Sequence, residues 1–160
     1  MAPPNLTRAT LSDLDRLAEV DARLANDRSH RRFARRVLEL GDSWLATIAD
    51  CPVGYALVSR NFFDRPFVDT LVISPARRRQ GIGAALLGRC AEAHEEDRIF
   101  TSTNTSNAAM RALLARELWL PSGRIDNLDA DDPELVFVKF TETSVPSLHR
   151  VSMIAESRRP

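Results

Sequence analysis

The chain has 160 residues, 44% of them hydrophobic and 28% charged, with 22 basic and 22 acidic side chains and a formal net charge of zero. That length and composition suit one globular domain and exclude disorder, and neutrality gives no overall case for a nucleic-acid or membrane-surface protein. No apolar run reaches membrane-spanning length, no signal-peptide core opens the chain, and Cys51 and Cys90 have no metal or redox spacing, so free thiols and a cytoplasmic location are expected.

Residues 5–8 read as a short first strand. Thr10 and Ser12 then offer N-caps, and Leu14, Leu17, Val20 (or Asp21) and Leu24 recur at helical spacing, so a first helix is expected over residues 12–25. Residues 26–29 break the pattern. A second helix runs over residues 30–40 and is stopped by Gly41. Phe33, Val37 and Leu40 share one side of it. Arg28, Arg31, Arg32 and Arg35 share the other, which reads as a solvated face or as a basic rim suited to an acidic or nucleic-acid acceptor. Strand-like runs at 43–49 and 55–62 flank a hairpin loop at 50–54, and residues 64–66 make the next turn. With a third strand starting at Phe67, the three form an antiparallel meander.

That third run, Phe67-Val68-Asp69-Thr70-Leu71-Val72-Ile73, stops at Ser74-Pro75. Arg77, Arg78 and Arg79 follow, then Gln80-Gly81-Ile82-Gly83 and a helix carrying Leu86, Leu87, Cys90, Ala91 and His94. A strand, a basic glycine-rich turn and a helix N-terminus make a phosphate cradle, because glycines let an anion reach the backbone and the first helical N–H groups point at it. A dinucleotide fingerprint would need Gly or Ala where Leu86 stands, and a Walker loop would need Gly-Lys-Ser/Thr, which is absent. A strand at 98–103 should return through a right-handed crossover to lie parallel to the 67–73 strand. Ser106 can cap a helix over 107–118, ended by residues 121–123. Strands at 124–128 and 135–140 enclose an acidic turn at 129–133. Residues 141–160 lack periodicity and read as a mobile or partner-contacting tail beyond a domain of residues 1–140.

The stretch Arg78-Arg79-Gln80-Gly81-Ile82-Gly83 resembles the acyl-CoA pyrophosphate loop of the GNAT N-acetyltransferase superfamily. Asn107-Ala108-Ala109-Met110-Arg111-Ala112-Leu113-Leu114 is similar to the family's N-x-x-A-x-x-L-Y segment, matching at Asn107 and Leu113 and departing at Met110 and Leu114. The order of elements over residues 5–140 agrees. The resemblance implies an α/β (α+β) GNAT fold: a mixed, mostly antiparallel sheet of six to seven strands, with splayed parallel fourth and fifth strands and four flanking helices.

It also implies acetyl-CoA as cosubstrate, without a metal, and a primary amine as acceptor, either a small molecule or a peptide. Backbone groups of Leu71 and Ile73 would hold the pantetheine arm. Arg78, Arg79, Gln80, Gly81, Ile82, Gly83 and Ala84 would hold the pyrophosphate, and Asn107 would contact the arm near its thiol end. Asp69 matches a position where many members carry the general base, and reads otherwise as an ion-pair partner of Arg60 or Arg65. His30 and His94 are the other candidates. Leu114 stands where the family has its general-acid tyrosine, and Glu117-Leu118-Trp119 departs from the usual Leu-Gly-Phe, so the helix end is expected to be rearranged. Leu114 motivates a second reading, an acyl-CoA-binding module without efficient turnover. A third is a nucleotide- or RNA-binding protein using the arginine face at 28–36. No membrane partner is expected, and a homodimer is left open.

Overall fold

The computed structural model describes residues 2–94 and 97–141; the expected tail beyond Thr141 lies outside them. Seven strands form one sheet: β1 (Asn5–Arg8), β2 (Trp44–Ile48), β3 (Cys51–Phe62), β4 (Arg65–Ile73), β5 (Arg98–Asn104), β6 (Leu120–Ile125) and β7 (Glu134–Phe140). Their spatial order is β1-β2-β3-β4-β5-β7-β6. Only β4 and β5 are parallel; the other neighbours are antiparallel. This is the mixed sheet that the sequence leads one to expect, with the 82–92 helix as the crossover.

Among the described residues five helices flank it, not four: α1 (Leu14–Val20), α2 (Ala22–Asn26), α3 (Arg28–Leu38), α4 (Ile82–Glu92) and α5 (Ala108–Arg116). The expected helix over 12–25 is divided at Asp21, whose backbone is extended (φ −125°, ψ 105°) and whose carboxylate accepts from the Arg23 N–H as the cap of α2. Asp27 repeats the device, accepting from the N–H groups of Ser29 and His30, so α3 begins earlier than residue 30. An Asp that bonds backbone N–H groups ahead of it competes with helix continuation, and the chain turns at each.

Both hairpins of the meander close on two residues with positive φ, Ala49-Asp50 and Phe63-Asp64, the geometry that matches strand twist. The expected loop at 50–54 is therefore mostly strand, with a register shift between Ala46 and Thr47. At Gly54 the strands come so close that a Cβ would lie 2.7 Å from Ile73 Cδ1 and 2.9 Å from the Val72 carbonyl oxygen. The sixth strand starts at Leu120 and not at 124. It takes in Pro121, which an edge strand tolerates because its outward N–H has no ladder bond to lose.

Two cores sandwich the sheet. One face packs α4 and α5 residues, including Ile82, Leu86, Leu87, Cys90 and Leu114, on Ala56, Val58, Val68 and Ile99. The other packs Leu14, Leu17 and Leu24 with Ala34 and Val37 on Leu45, Tyr55 and Leu57. The arginine stripe of α3 (Arg28, Arg32, Arg35, Arg36) faces solvent, whereas Arg31 bonds Asp15 at 2.5 Å. Cys90 is enclosed, and burial pushes its thiol up to about 12; Cys51 is exposed. Among the described residues no helix is long and apolar enough to cross a membrane.

The end of α5 keeps regular closure. Leu118 N–H donates to Ala115 O at 3.2 Å and Trp119 N–H to Leu114 O at 2.9 Å, with Trp119 and Leu114 together in the core. These are the two bonds of a Schellman end. Leu118 holds the left-handed position (φ 61°) that glycine would fill, and is 76% exposed. The expected rearrangement of this segment does not occur.

Candidate active site

Strands β4 and β5 pair at only two positions, Phe67 with Phe100 and Val68 with Thr101. The Thr101 hydroxyl then donates to the Val68 carbonyl at 2.9 Å, taking the last acceptor before the strands part. Beyond this point β4 follows β3 while β5 follows β7, and a gap opens between residues 69–73 and 102–104. Ser74 N–H bonds Val53 O on the β3 side. Two-residue alternation therefore turns the backbone groups of Leu71 and Ile73 away from β3, toward the gap. The free edge can hold an extended, amide-bearing chain.

The loop after β4 makes an anion cradle. Pro75–Arg77 forms one 3-10 turn, and Arg79 and Gly81 both take positive φ (65° and 82°). Gly81 is the N-cap of α4 and has no side chain to satisfy the first turn. The first backbone bond in which this turn donates runs from Ala85 N–H to Gly81 O at 3.0 Å, so the N–H groups of Ile82, Gly83 and Ala84 are open to an anion. Arg77, Arg78 and Arg79 are exposed beside them, with Arg78 Nε 3.4 Å from Ile73 O. Gln80 lies back on Ala76 O at 3.4 Å. A Cβ on Gly83 would lie 3.0 Å from Leu113 Cδ2, so glycine there lets α4 close onto α5.

Asp69 sits at the start of the gap, in a bulge. Leu57 pairs with Thr70 and Val58 with Val68, leaving Asp69 as the extra residue. Burial pushes its carboxyl above the usual carboxylate range, only partly opposed by hydrogen bonds from the Ser59 hydroxyl and N–H. Its Oδ2 is enclosed with no hydrogen-bond partner among the described residues. Of the two expected ion-pair partners, Arg65 lies 3.8 Å from Asp97 instead.

Asn107 caps α5, its Oδ1 accepting from Met110 N–H at 3.1 Å; its amide NH2 is the part that can reach a ligand. Ser106 is not the cap. Its hydroxyl and N–H bond Asp132 at 2.6 and 2.9 Å. Together with Asn104 Nδ2, 2.8 Å from Asp129, they fasten the β6–β7 loop to the edge of the gap. Leu114 is fully buried in the core and has no proton to give. His94 is buried at the end of α4, away from the gap.

A cluster that the sequence pattern did not reveal joins the first helices to the sheet. The buried Tyr55 hydroxyl donates to Asp21 Oδ2 at 2.8 Å, Arg23 bonds the same carboxylate at 3.2 and 3.3 Å, and His30 Nε2 lies 3.4 Å from it. Burial alone would raise Asp21, but the Arg23 and Tyr55 bonds outweigh it and hold the carboxyl low. Burial and the Asp21 charge push the Tyr55 phenol far up. The chain's single tyrosine is thus a structural donor. The signal was an acid within the first helical pattern.

The sequence model of the acetyltransferase (GNAT) family matches residues 9–118. Among solved structures, a GNAT-family acetyltransferase from Bacillus cereus ATCC 10987 is 28% identical, with a TM-score of 0.80, over 88% of this chain and 99% of that one. The ribosomal-protein-S18-alanine N-acetyltransferase from Escherichia coli follows at 18% identity and a TM-score of 0.74, over 91% and 98% of the two chains. Diaminobutyrate acetyltransferase EctA from Paenibacillus lautus, solved with L-2,4-diaminobutyric acid and coenzyme A, is 20% identical with a TM-score of 0.67, over 86% and 95%. No curated protein matches the chain significantly. With the family model covering more than half the sequence and the splayed sheet in place, the chain belongs to the GNAT family of acetyl-CoA-dependent acetyltransferases.

Proposed function

We propose that this protein is an N-acetyltransferase that moves an acetyl group from acetyl-CoA directly to a primary amine, with Asp69 as general base. The observation that carries the reading is a buried carboxyl in a strand bulge, at the point where two parallel strands part. The open N–H groups of residues 82–84 and the guanidinium groups of Arg78 and Arg79 suit a diphosphate, with Gln80 and Gly81 shaping the loop. The free Leu71 and Ile73 edge suits the amides of a pantetheine arm, and Asn107 lies near its end. Acetyl-CoA supplies an acyl group already activated as a thioester. What remains for the protein is orientation, polarisation of the carbonyl and removal of the amine proton.

An ordinary Asp is too weak a base for an ammonium group. Burial that raises Asp69 brings it closer to the operating range, and its carboxylate would take the proton, directly or through one water. The C–N bond forms as the C–S bond breaks. The nucleophile is the free amine, its ammonium form having first given one proton to water; as the C–N bond forms the second proton passes to Asp69, and the thiolate leaves with the electron pair of the C–S bond. Leu114 offers it no proton, and none is required, because a thiol with a pKa of about 8.5 is a good leaving group near neutral pH.

Leu114 also favours a second reading, binding of acyl-CoA without turnover. Acetyl-CoA consumption with a panel of primary amines separates them. Wild type should release thiol with at least one amine, and Asp69→Asn should lower kcat by about 100-fold or more with coenzyme A affinity unchanged. Tight coenzyme A binding with no thiol release for any amine, in wild type as in the variant, would favour the binding module.

A further inference from the structure

Four of the seven phenylalanines gather at the foot of the gap. The Phe62 ring lies 5.0 Å from Phe63, 4.9 Å from Phe67 and 5.3 Å from Phe100, the separations of interacting aromatic pairs. Phe67 and Phe100 are opposite each other in the ladder immediately below the splay. Phe67 also pairs with Ser59, the residue that bonds Asp69. Counting back from Ser59 through Leu57 to Tyr55 in steps of two, this is the face of the sheet that α1, α2 and α3 cover. The helices cover Leu45, Tyr55 and Leu57 but not the phenylalanines. Phe62, Phe67 and Phe100 are left half-buried and Phe63 is 86% exposed.

Asn104, four residues after Phe100, lies on the same face of β5, and its amide bonds Asp129 and the Asp132 carbonyl in the β6–β7 loop, which also carries Asp126 and Asp131. The aromatic cluster, the Asp69 carboxyl and the acidic loop therefore follow one another along the β4–β5 seam. A hydrophilic amine needs only the last two.

We infer that Phe67 and Phe100 determine acceptor specificity, and that the acceptor is a primary amine carrying an aromatic or bulky apolar group. The inference rests on the acetyl-transfer reading for the place of the amine, which must reach Asp69. The carbon skeleton then lies over Phe67 and Phe100, where ring contacts and burial favour it over water. The incoming ammonium is drawn by the aspartates of the loop and by the ring faces.

The test uses the full chain saturated with coenzyme A and calorimetric titration of 2-phenylethylamine and 1,4-diaminobutane. Phenylethylamine should bind about tenfold or more tightly than the diamine. Phe67→Ala and Phe100→Ala should each weaken it by about tenfold, Phe67→Leu by less, with the affinity for coenzyme A as the control for folding. In initial-rate assays the alanine variants should raise KM for phenylethylamine far more than they lower kcat. Equal affinities for the two amines, or no effect of either alanine variant, would overturn the inference. So would a dimer that dissociates on Phe63→Ser while amine affinity stays put, because the rings would then serve a second copy of the chain. Transfer to the diamine with both alanine variants silent would sink this inference and leave acetyl transfer standing. Phenylethylamine binding that depends on Phe67, with no thiol release for any amine, would do the reverse.

Discussion

At the scale of single residues, the base role proposed for Asp69 sets activity against stability. Its folded-state carboxyl is raised above the ordinary aspartate range, mainly by burial. Folding therefore favours the protonated form. That contribution is full below the unfolded pKa and is lost as pH rises through the raised folded value, so at pH 7 the ionised Asp69 is a cost. Asp69→Asn should accordingly raise Tm at pH 7, and the gain should shrink as the pH falls toward the unfolded aspartate value of about 3.9. A Tm that falls at pH 7 would mean that the carboxylate is held by a partner that the desolvation argument overlooks. The acid limb of kcat/KM should lie above that of a free aspartate for the same reason. Asp69 was legible in the sequence because an acid inside an apolar strand demands an explanation. Asp21 had the same anomaly, but its partners Tyr55 and His30 are 34 and nine residues away, and helical spacing alone does not bring them together.

At the scale of elements, the sequence located strands and helices well and their ends poorly. Periodicity identifies an element, whereas side-chain bonds and rare backbone angles end it. Asp21 and Asp27 cut helices by capping. Ala49-Asp50 and Phe63-Asp64 turn hairpins without the Asn-Gly or Asp-Gly pairs that announce such turns. Pro121-Ser122-Gly123 looks like a stop signal and is an edge strand, because β7 supplies its ladder. The end of α5 shows the same conflict in energetic form. Leu118 fills a left-handed position at which a side chain costs about 1 kcal/mol relative to glycine. Leu118→Gly should therefore stabilise the protein by about 1 kcal/mol in a urea titration, through Cm and not m, despite glycine's greater freedom in the unfolded chain. No change, or a loss, would show that the leucine contributes through contacts that its exposure does not suggest.

At the scale of the whole molecule, the anion cradle and the free strand edge belong to the folded chain alone, and a ligand that uses both must stabilise it. Coenzyme A at about 100 times its Kd should add about 2.7 kcal/mol, which for a chain of this size is a Tm rise of about 5–10 °C. Arg78→Ala with Arg79→Ala should reduce that rise without lowering the Tm of the free protein. The family's fold was legible because two short motifs and one strand order specify it. The proposed acceptor side was not, since the hairpin tip and the β6–β7 loop it draws on share no local pattern. The short β4–β5 ladder also has a consequence in time. Leu71 and Ile73 both belong to β4, yet their amides have no ladder partner on the gap side among the described residues. They should exchange hydrogen for deuterium at the pace of a loop, while Val72 between them, turned to β3, exchanges slowly. Coenzyme A should erase the alternation, so that the seam between the two halves of the sheet is visible by exchange only while the ligand is away.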